Sequence, residues 1–373
     1  MSYIERKLLY KSHEENRQRP LISYVTSIRP NMSSSMASDA IAVIIEQVDK
    51  IPRSVKEIDL LIISNGGDPI TAWQIMTILR ERFDKVSVII PYTAFSAATI
   101  LALGADEIVM HPYSNLGPVD PQLTIIKPNA FGQPTTLQFS SEDIRNYIEF
   151  IRSDVGITDQ AQLASAFSPL AADVGPIPIG NAKRSQQLSI SLSTKMLEFH
   201  LPNKCEEDKE KVANIAKMLN SSYYHHGYTL NRKEAKEIGL NVKFPDKKHE
   251  EIIWSIWLDF CYEMKCNTAF DPIYEIINDP TAKQLLSQIP VISMPVNIPD
   301  QMAQNIYAQL AQQYTQVTQQ SPIEIVLPIA ATESINAASV CNIKASILYW
   351  RNPNMTLSYN LTTYSNGWEN VSI

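Results

Sequence analysis

The chain has 373 residues, 45% of them hydrophobic and 19% charged, enough for one large domain with an extra module or for two domains, and too apolar for wholesale disorder. A formal net charge of -7 argues against a nucleic-acid binder, which needs a basic stripe to release counterions from phosphates. No stretch approaches the roughly 20 apolar residues that span a bilayer. Met1 to Pro20 is rich in charge where a signal peptide needs an apolar centre, so a cytoplasmic protein without a transmembrane segment is expected. Cys205, Cys261, Cys266 and Cys341 form no CxxC pair, and no Gly-x-Gly-x-x-Gly motif occurs. Buried free thiols, no metal and no cofactor are therefore expected.

In chain order, Ile4, Leu8 and Leu9 mark a charged opening helix, and Leu21 to Thr26 reads as a first strand. Ile41, Ile44, Ile45 and Val48 recur at helical spacing, which predicts a helix over about 38–50. Ile58 to Ser64 is a continuous apolar run of strand length, as suits a strand buried on both faces of a parallel sheet. It ends in Asn65-Gly66-Gly67-Asp68-Pro69, and Ala72 to Leu79 carries the next helix. Val86 to Ile90 predicts a third strand, Ser96 to Leu103 a short helix, and Glu107 to Met110 a fourth strand. Strand and helix alternating over about 90 residues imply right-handed βαβ units and an α/β core.

Beyond His111 the pattern changes. Tyr113 to Gln122 reads as a loop, followed by helices at about 142–153, led by a Ser140/Ser141 cap with Asp143, and at about 159–167. Gly175-Pro-Ile-Pro-Ile-Gly180 reads as a rigid connector before a long helix from about Ala182 to Phe199. Asn231 and Glu234 spell a capping box for a short helix that Gly239 ends, Leu240 to Val242 a late strand, and His249 to Tyr262 a helix. From about Gln288 the composition shifts toward Gln, Thr, Asn and Ser. Strands are expected at Ile323 to Leu327, Ala345 to Trp350 and Met355 to Leu361, with Arg351-Asn-Pro-Asn as a turn. The division expected is 1–284 for the main domain and 285–373 for a small C-terminal α+β module.

Two loops at strand ends carry chemistry. A glycine pair after a buried strand, Gly66 and Gly67, lets backbone approach a ligand closely and turns N–H groups outward, as an oxyanion hole requires. Ser96 stands between a buried strand and a helix rich in small residues, where the helix N-terminus favours developing negative charge and Ala97 offers a second amide. Each loop alone also reads as ordinary punctuation, a strand-to-helix turn or a helix N-cap.

Together, Ser64-Asn-Gly-Gly67, Tyr92-Thr-Ala-Phe-Ser96-Ala-Ala-Thr, Leu103-Gly-Ala-Asp-Glu-Ile-Val-Met110 and Ser114-Asn-Leu-Gly-Pro-Val-Asp-Pro-Gln122 resemble the Clp-fold serine peptidases. The nearest resemblance is to the serine dehydrogenase proteinase family, relatives of signal peptide peptidase A, and it extends through Tyr224 to Leu240. It implies a Clp/crotonase-like ββα spiral core with additional helices and homo-oligomeric assembly. By this resemblance Ser96 is the nucleophile and Gly66, Gly67 and Ala97 form the oxyanion hole. Asn65 departs from the proline usual before the glycines.

True Clp proteases place a histidine where this chain has Asp120, so a Ser96–His111–Asp120 triad does not follow the Clp order. Signal-peptide-peptidase-like members use a lysine at the start of the next long helix, which maps onto Lys183; Lys127 comes second and Lys195 third. The implied activity is ATP-independent hydrolysis of peptide bonds by a Ser-Lys dyad, with a peptide or protein segment as substrate. The alternative is a catalytically inactive Clp-like scaffold that binds peptides. A crotonase-type acyl-CoA enzyme would share the oxyanion hole but needs no serine at position 96. His225 and His226 read as structural or substrate-lining, since adjacent residues of a strand point opposite ways.

Overall fold

The computed structural model describes residues 3–129, 131–201, 205–221, 223, 225, 227–288, 297–319, 322–351 and 356–371. Its first part runs α1 (Tyr3–Arg17), β1 (Leu21–Thr26), α2 (Ala40–Asp49), β2 (Glu57–Ile63), α3 (Pro69–Arg82), β3 (Lys85–Ile90), β4 (Thr93–Ala94), α4 (Ala97–Leu103), β5 (Glu107–Met110) and β6 (Asn115–Leu116). A hairpin of β7 (Gln122–Pro128) and β8 (Pro134–Ser140) leads into α5 (Ser141–Ser153), α6 (Gln160–Val174), α7 (Pro176–Glu198) and α8 (Glu206–Ser221). Then come β9 (Leu230–Asn231), α9 (Arg232–Glu237), β10 (Val242–Lys243), α10 (Lys247–Glu263), α11 (Pro272–Asn278), α12 (Pro280–Gln288) and α13 (Asp300–Gln319). The last strands are β11 (Ile323–Glu333), β12 (Ala338–Arg351) and β13 (Leu357–Asn370).

The main sheet has the order β10-β5-β3-β2-β1-β11-β12-β13. From β10 to β1 the pairings are parallel, and from β1 to β13 antiparallel. The apolar run of β2 is explained by burial on both faces. Leu60 and Ile62 face one cluster with Ile44, Leu79, Leu101, Met196 and Leu219. Leu61 and Ile63 face the other, with Tyr10, Ile253 and Phe260. Helices α2, α3, α4, α7 and α8 thus cover one face and α1 with α10 the other.

The α/β reading holds, with local differences. The predicted connector 175–180 is the start of α7: Gly175 is its N-cap at φ 93°, and Pro176 opens the helix, where a missing N–H costs nothing. The loop 113–122 contains the short strand β6, which pairs with β4 and β9 as a second sheet. The hairpin β7–β8 was not expected, because its strands are half-exposed and lack a strong apolar alternation. The C-terminal strands join the main sheet through β11, with Val25 opposite Ala331. Most of the turn after Arg351 lies outside the described residues. Cys261, Cys266 and Cys341 are buried and free, whereas Cys205 is exposed. Among the described residues no helix is long and apolar enough to cross a membrane.

Buried charge ties α1 to the rest. Arg6, only 1% exposed, donates to Glu333 of β11 at 2.9 and 2.6 Å and to Glu263 of α10 at 2.7 Å. It also pairs with Asp259 and covers the Phe260 ring. Tyr10 donates to the same Glu333 at 2.7 Å. Nearby, His13 Nε2 meets Asp59 Oδ2 at 2.9 Å, and His13 Nδ1 meets His249 Nε2 at 3.1 Å. Arg6→Ala would strand Glu333 without its cation in the interior. The expected cost is about 3–5 kcal/mol, read as a lower urea midpoint with an unchanged m-value.

Burial, with the charges of His13 and Arg17 beside it, pushes His249 down to about 4. Between that value and the ordinary one near 6.5 the unfolded chain binds this proton more readily, so stability falls as the pH drops through the window. Asp59, held down at about 2 by His13 and Arg17 against its burial, titrates below it. Unfolding at pH 7 and pH 4.5 is expected to show a loss of roughly 2 kcal/mol at the lower pH, reduced in His249→Gln.

Candidate active site

The loops after β2 and β3 are joined backbone to backbone. Ser64 N–H donates to Thr93 O at 3.1 Å, and Phe95 N–H donates to Ser64 O at 3.0 Å. The Ser64 hydroxyl, itself fixed by Thr26 Oγ1 at 2.8 Å, accepts the Gly66 N–H at 3.1 Å. A third segment closes the loop from outside: Met36 N–H donates to Gly66 O at 2.7 Å, and Asp68 N–H donates to Met36 O at 2.9 Å. Asp68 then caps α3, accepting from Ile70 N–H and Thr71 Oγ1 at 3.0 Å each.

These contacts require glycine at two positions. Gly66 has φ +101°, and a Cβ there would lie 2.6 Å from Phe95 O, 2.8 Å from Ser96 Cβ and 3.0 Å from Ala97 N. Gly67 has φ +145°, and a Cβ there would lie 2.3 Å from Met36 O. Ser96 is a non-glycine residue in the left-handed half of the map, at φ 51° and ψ -117°, directly before α4. Such a conformation costs of order 1–3 kcal/mol and persists where its surroundings impose it. Here α4 imposes it, since all seven of its residues are buried, and Thr99 Oγ1 anchors it to Ala94 O at 2.7 Å and Gly117 O at 2.9 Å.

Ser96 is half-buried, and among the described residues its hydroxyl has no hydrogen-bond partner. The amide of Gly66 is engaged by Ser64, so this residue contributes close approach rather than a free donor. Among the described residues the amides of Gly67 and Ala97 have no acceptor. The open N–H groups therefore belong to Ala97, the residue after the strained serine, and to Gly67, which lines the same cleft as Ser96.

Ser96 opens on a cleft of about 410 Å³. Asn65 and Asp68 stand on one side, Val119 and Pro121 form a wall, and Ser185 and Ser189 of α7 face in. Sequence reasoning missed these two serines, although their i, i+4 spacing puts them on one helix face.

None of the predicted bases lines this cleft. Lys183 is exposed, two residues before Ser185 on α7. His111 is buried against α10, stacked on Trp254 at 4.8 Å, and its Nδ1 accepts the Tyr113 N–H at 3.2 Å. Burial holds its pKa below the ordinary value. Asp120 accepts from Gln122 at 2.8 Å and lines an adjoining cleft. Lys127 pairs with Asp173 of α6, and Lys195 lies over the Trp73 ring at 5.7 Å. Among the described residues, the titratable side chain that does line the Ser96 cleft is Asp68, the cap of α3. His225 lines the adjoining cleft, and His226 lies outside the described residues.

Residues 37–146, which contain Gly66, Gly67, Ser96 and Ala97, match the family described as ClpP-like SDH-type serine proteinase. Over this segment the chain is similar to that family. Two curated relatives come from Methanocaldococcus jannaschii. The uncharacterized protein MJ1495 is 28% identical over 214 residues, covering 55% of this chain and 61% of that protein. The uncharacterized protein MJ0137 is 30% identical over 204 residues, covering 53% and 59%. The chain thus matches about three fifths of the length of each. Among solved structures, a mutant of the 1510-N membrane-bound stomatin-specific protease aligns over 61% of this chain and 80% of its own, with 13% identity and a TM-score of 0.36.

The glycine pair suggests a stability test. Gly66→Ala meets three backbone or fixed atoms, whereas Gly156→Ala, also at positive φ (+80°), meets nothing within 4 Å. Gly156→Ala is expected to cost about 1 kcal/mol, and Gly66→Ala about 1–3 kcal/mol more, measured by denaturant unfolding.

Proposed function

We propose that the protein is a serine peptidase with Ser96 as nucleophile. The observation that carries this reading is the strained, half-buried Ser96, whose hydroxyl has no partner among the described residues, in a cleft that Gly67 also lines. The amides of Gly67 and Ala97, without acceptors among the described residues, are the proposed oxyanion donors. Ser96 Oγ attacks the scissile carbonyl carbon, and the carbonyl oxygen, now an anion, sits between those two N–H groups. The hydroxyl proton passes to a base and then to the departing amine as the C–N bond breaks. Water releases the acyl group by the reverse proton path.

Lys183 is the proposed base. Its support is its place on α7, whose Ser185 and Ser189 line the cleft. Its side chain is exposed and does not line the cleft, so it would have to turn inward to act on Ser96. The substrate proposed is a peptide or protein segment, hydrolysed without ATP or a cofactor by a cytoplasmic homo-oligomer. Residues 285–373 are proposed as a separate module in function. One observation favours the second reading, a catalytically inactive peptide-binding scaffold: no lysine or histidine is among the described residues that line the Ser96 cleft.

Labelling with a fluorophosphonate separates the two. The wild type is expected to label, Ser96→Ala not at all, and Lys183→Ala at least about a hundredfold more slowly. Full labelling of Lys183→Ala would move the base elsewhere, and a wild type that does not label would favour the scaffold.

A further inference from the structure

A second cleft of about 310 Å³ adjoins the one in front of Ser96. The segment 118–122 is the wall between them: Pro118 and Asp120 line the second cleft, Val119 and Pro121 the first, and Gln122 both. This alternation is that of an extended chain. The wall is pinned from two helices, since Ser189 Oγ donates to Val119 O at 2.7 Å and Val119 N–H donates to Leu219 O at 2.9 Å.

The second cleft is rich in acceptors. Asp120, Glu142 and Asp143 line it. Asp143 accepts from Ser140 N–H and Oγ at 2.7 and 2.8 Å as part of the cap of α5. Glu142 accepts from Gln186 and pairs with Arg145, and the charge of Lys183 also acts on it. Three carboxylates with such partners describe a solvated acidic face and no more.

Asn220 decides the matter. It lines the cleft and is only 1% exposed. Its Nδ2 donates to Ala216 O at 2.8 Å, which sets the amide's orientation, because the flipped form would oppose two oxygens. Its buried Oδ1 has no partner among the described residues. A buried acceptor left open costs about 1–3 kcal/mol, a cost that a donor reaching it from the cleft would remove. Tyr223 adds an aromatic ring to the same lining, a surface that suits a cation. Burial and the neighbouring charge of Asp120 raise the Glu142 carboxyl above its ordinary value in spite of Arg145.

We propose that this cleft receives the basic side chain of a lysine or arginine in a peptide bound across Ser96. The N–H groups donate to Asn220 Oδ1, the charge faces Asp120 and Glu142, and the alkyl stem lies along Tyr223. That the carrier is a peptide rests on the peptidase reading; the preference for a cation does not.

The test is fluorescence anisotropy with fluorescein-labelled alanine-based hexapeptides carrying a single arginine, lysine, norleucine or glutamate. They are titrated against the full chain and its Ser96→Ala variant, which binds without turnover. Arginine and lysine peptides are expected to bind about tenfold more tightly than the norleucine peptide. Glu142→Gln, at a partly exposed site, is expected to cut that preference to about threefold or less, and Asn220→Leu to do the same if it folds. Equal binding of the norleucine peptide, or a preference unchanged in Glu142→Gln, overturns the assignment. Failure of fluorophosphonate labelling with the basic preference intact would overturn the peptidase reading alone.

Discussion

The site depends on one missing carbon atom. The carboxyl ends of β2 and β3 are parallel neighbours, and the loops leaving them meet backbone to backbone because Gly66 has no Cβ. With a side chain there, Phe95 O, Ser96 Cβ and Ala97 N would all have to retreat. That retreat would separate the amides of Gly67 and Ala97 and relax the conformation of Ser96. Ser64 reinforces the arrangement by turning one side-chain oxygen toward the Gly66 amide, which leaves the next amide along, that of Gly67, open.

A site made of backbone is only as rigid as the elements that carry it. The parallel strands are sealed on both faces, and α4 is buried along its whole length. The strain at Ser96 is offset by packing elsewhere. The Arg6 cluster holds α1, α10 and β11 together on the face away from α4. This distribution of roles, apolar packing beneath the site and buried charge behind it, keeps the titrating groups of the cluster away from the cleft.

The elements that build the site were the legible ones. Val86 to Ile90 and Ile58 to Ser64 announce buried parallel strands by continuous apolarity, and the glycine pair and Ser96 follow them at the expected places. The capping boxes at Ser140/Asp143 and Asn231/Glu234 were equally readable, because a cap is a local bond between residues three apart. What was not legible depended on distance in the chain. Gly66 and Gly67 look alike as letters, yet Ser64 takes one amide and leaves the other. Lys183 sits at the expected helix start, but the helix begins at Pro176 and turns it outward. The Asn220 oxygen, without a partner among the described residues, depends on how α8 is packed, which no local pattern announces.

The most direct measurement is a crystal structure of the protein after reaction with a small fluorophosphonate. The phosphonyl group on a serine mimics the tetrahedral intermediate, so its oxygen reports where an oxyanion is held. An adduct on Ser96 with that oxygen about 3 Å from both Gly67 N and Ala97 N is the predicted result. An adduct on another residue, or one on Ser96 whose oxygen turns to solvent, would contradict it.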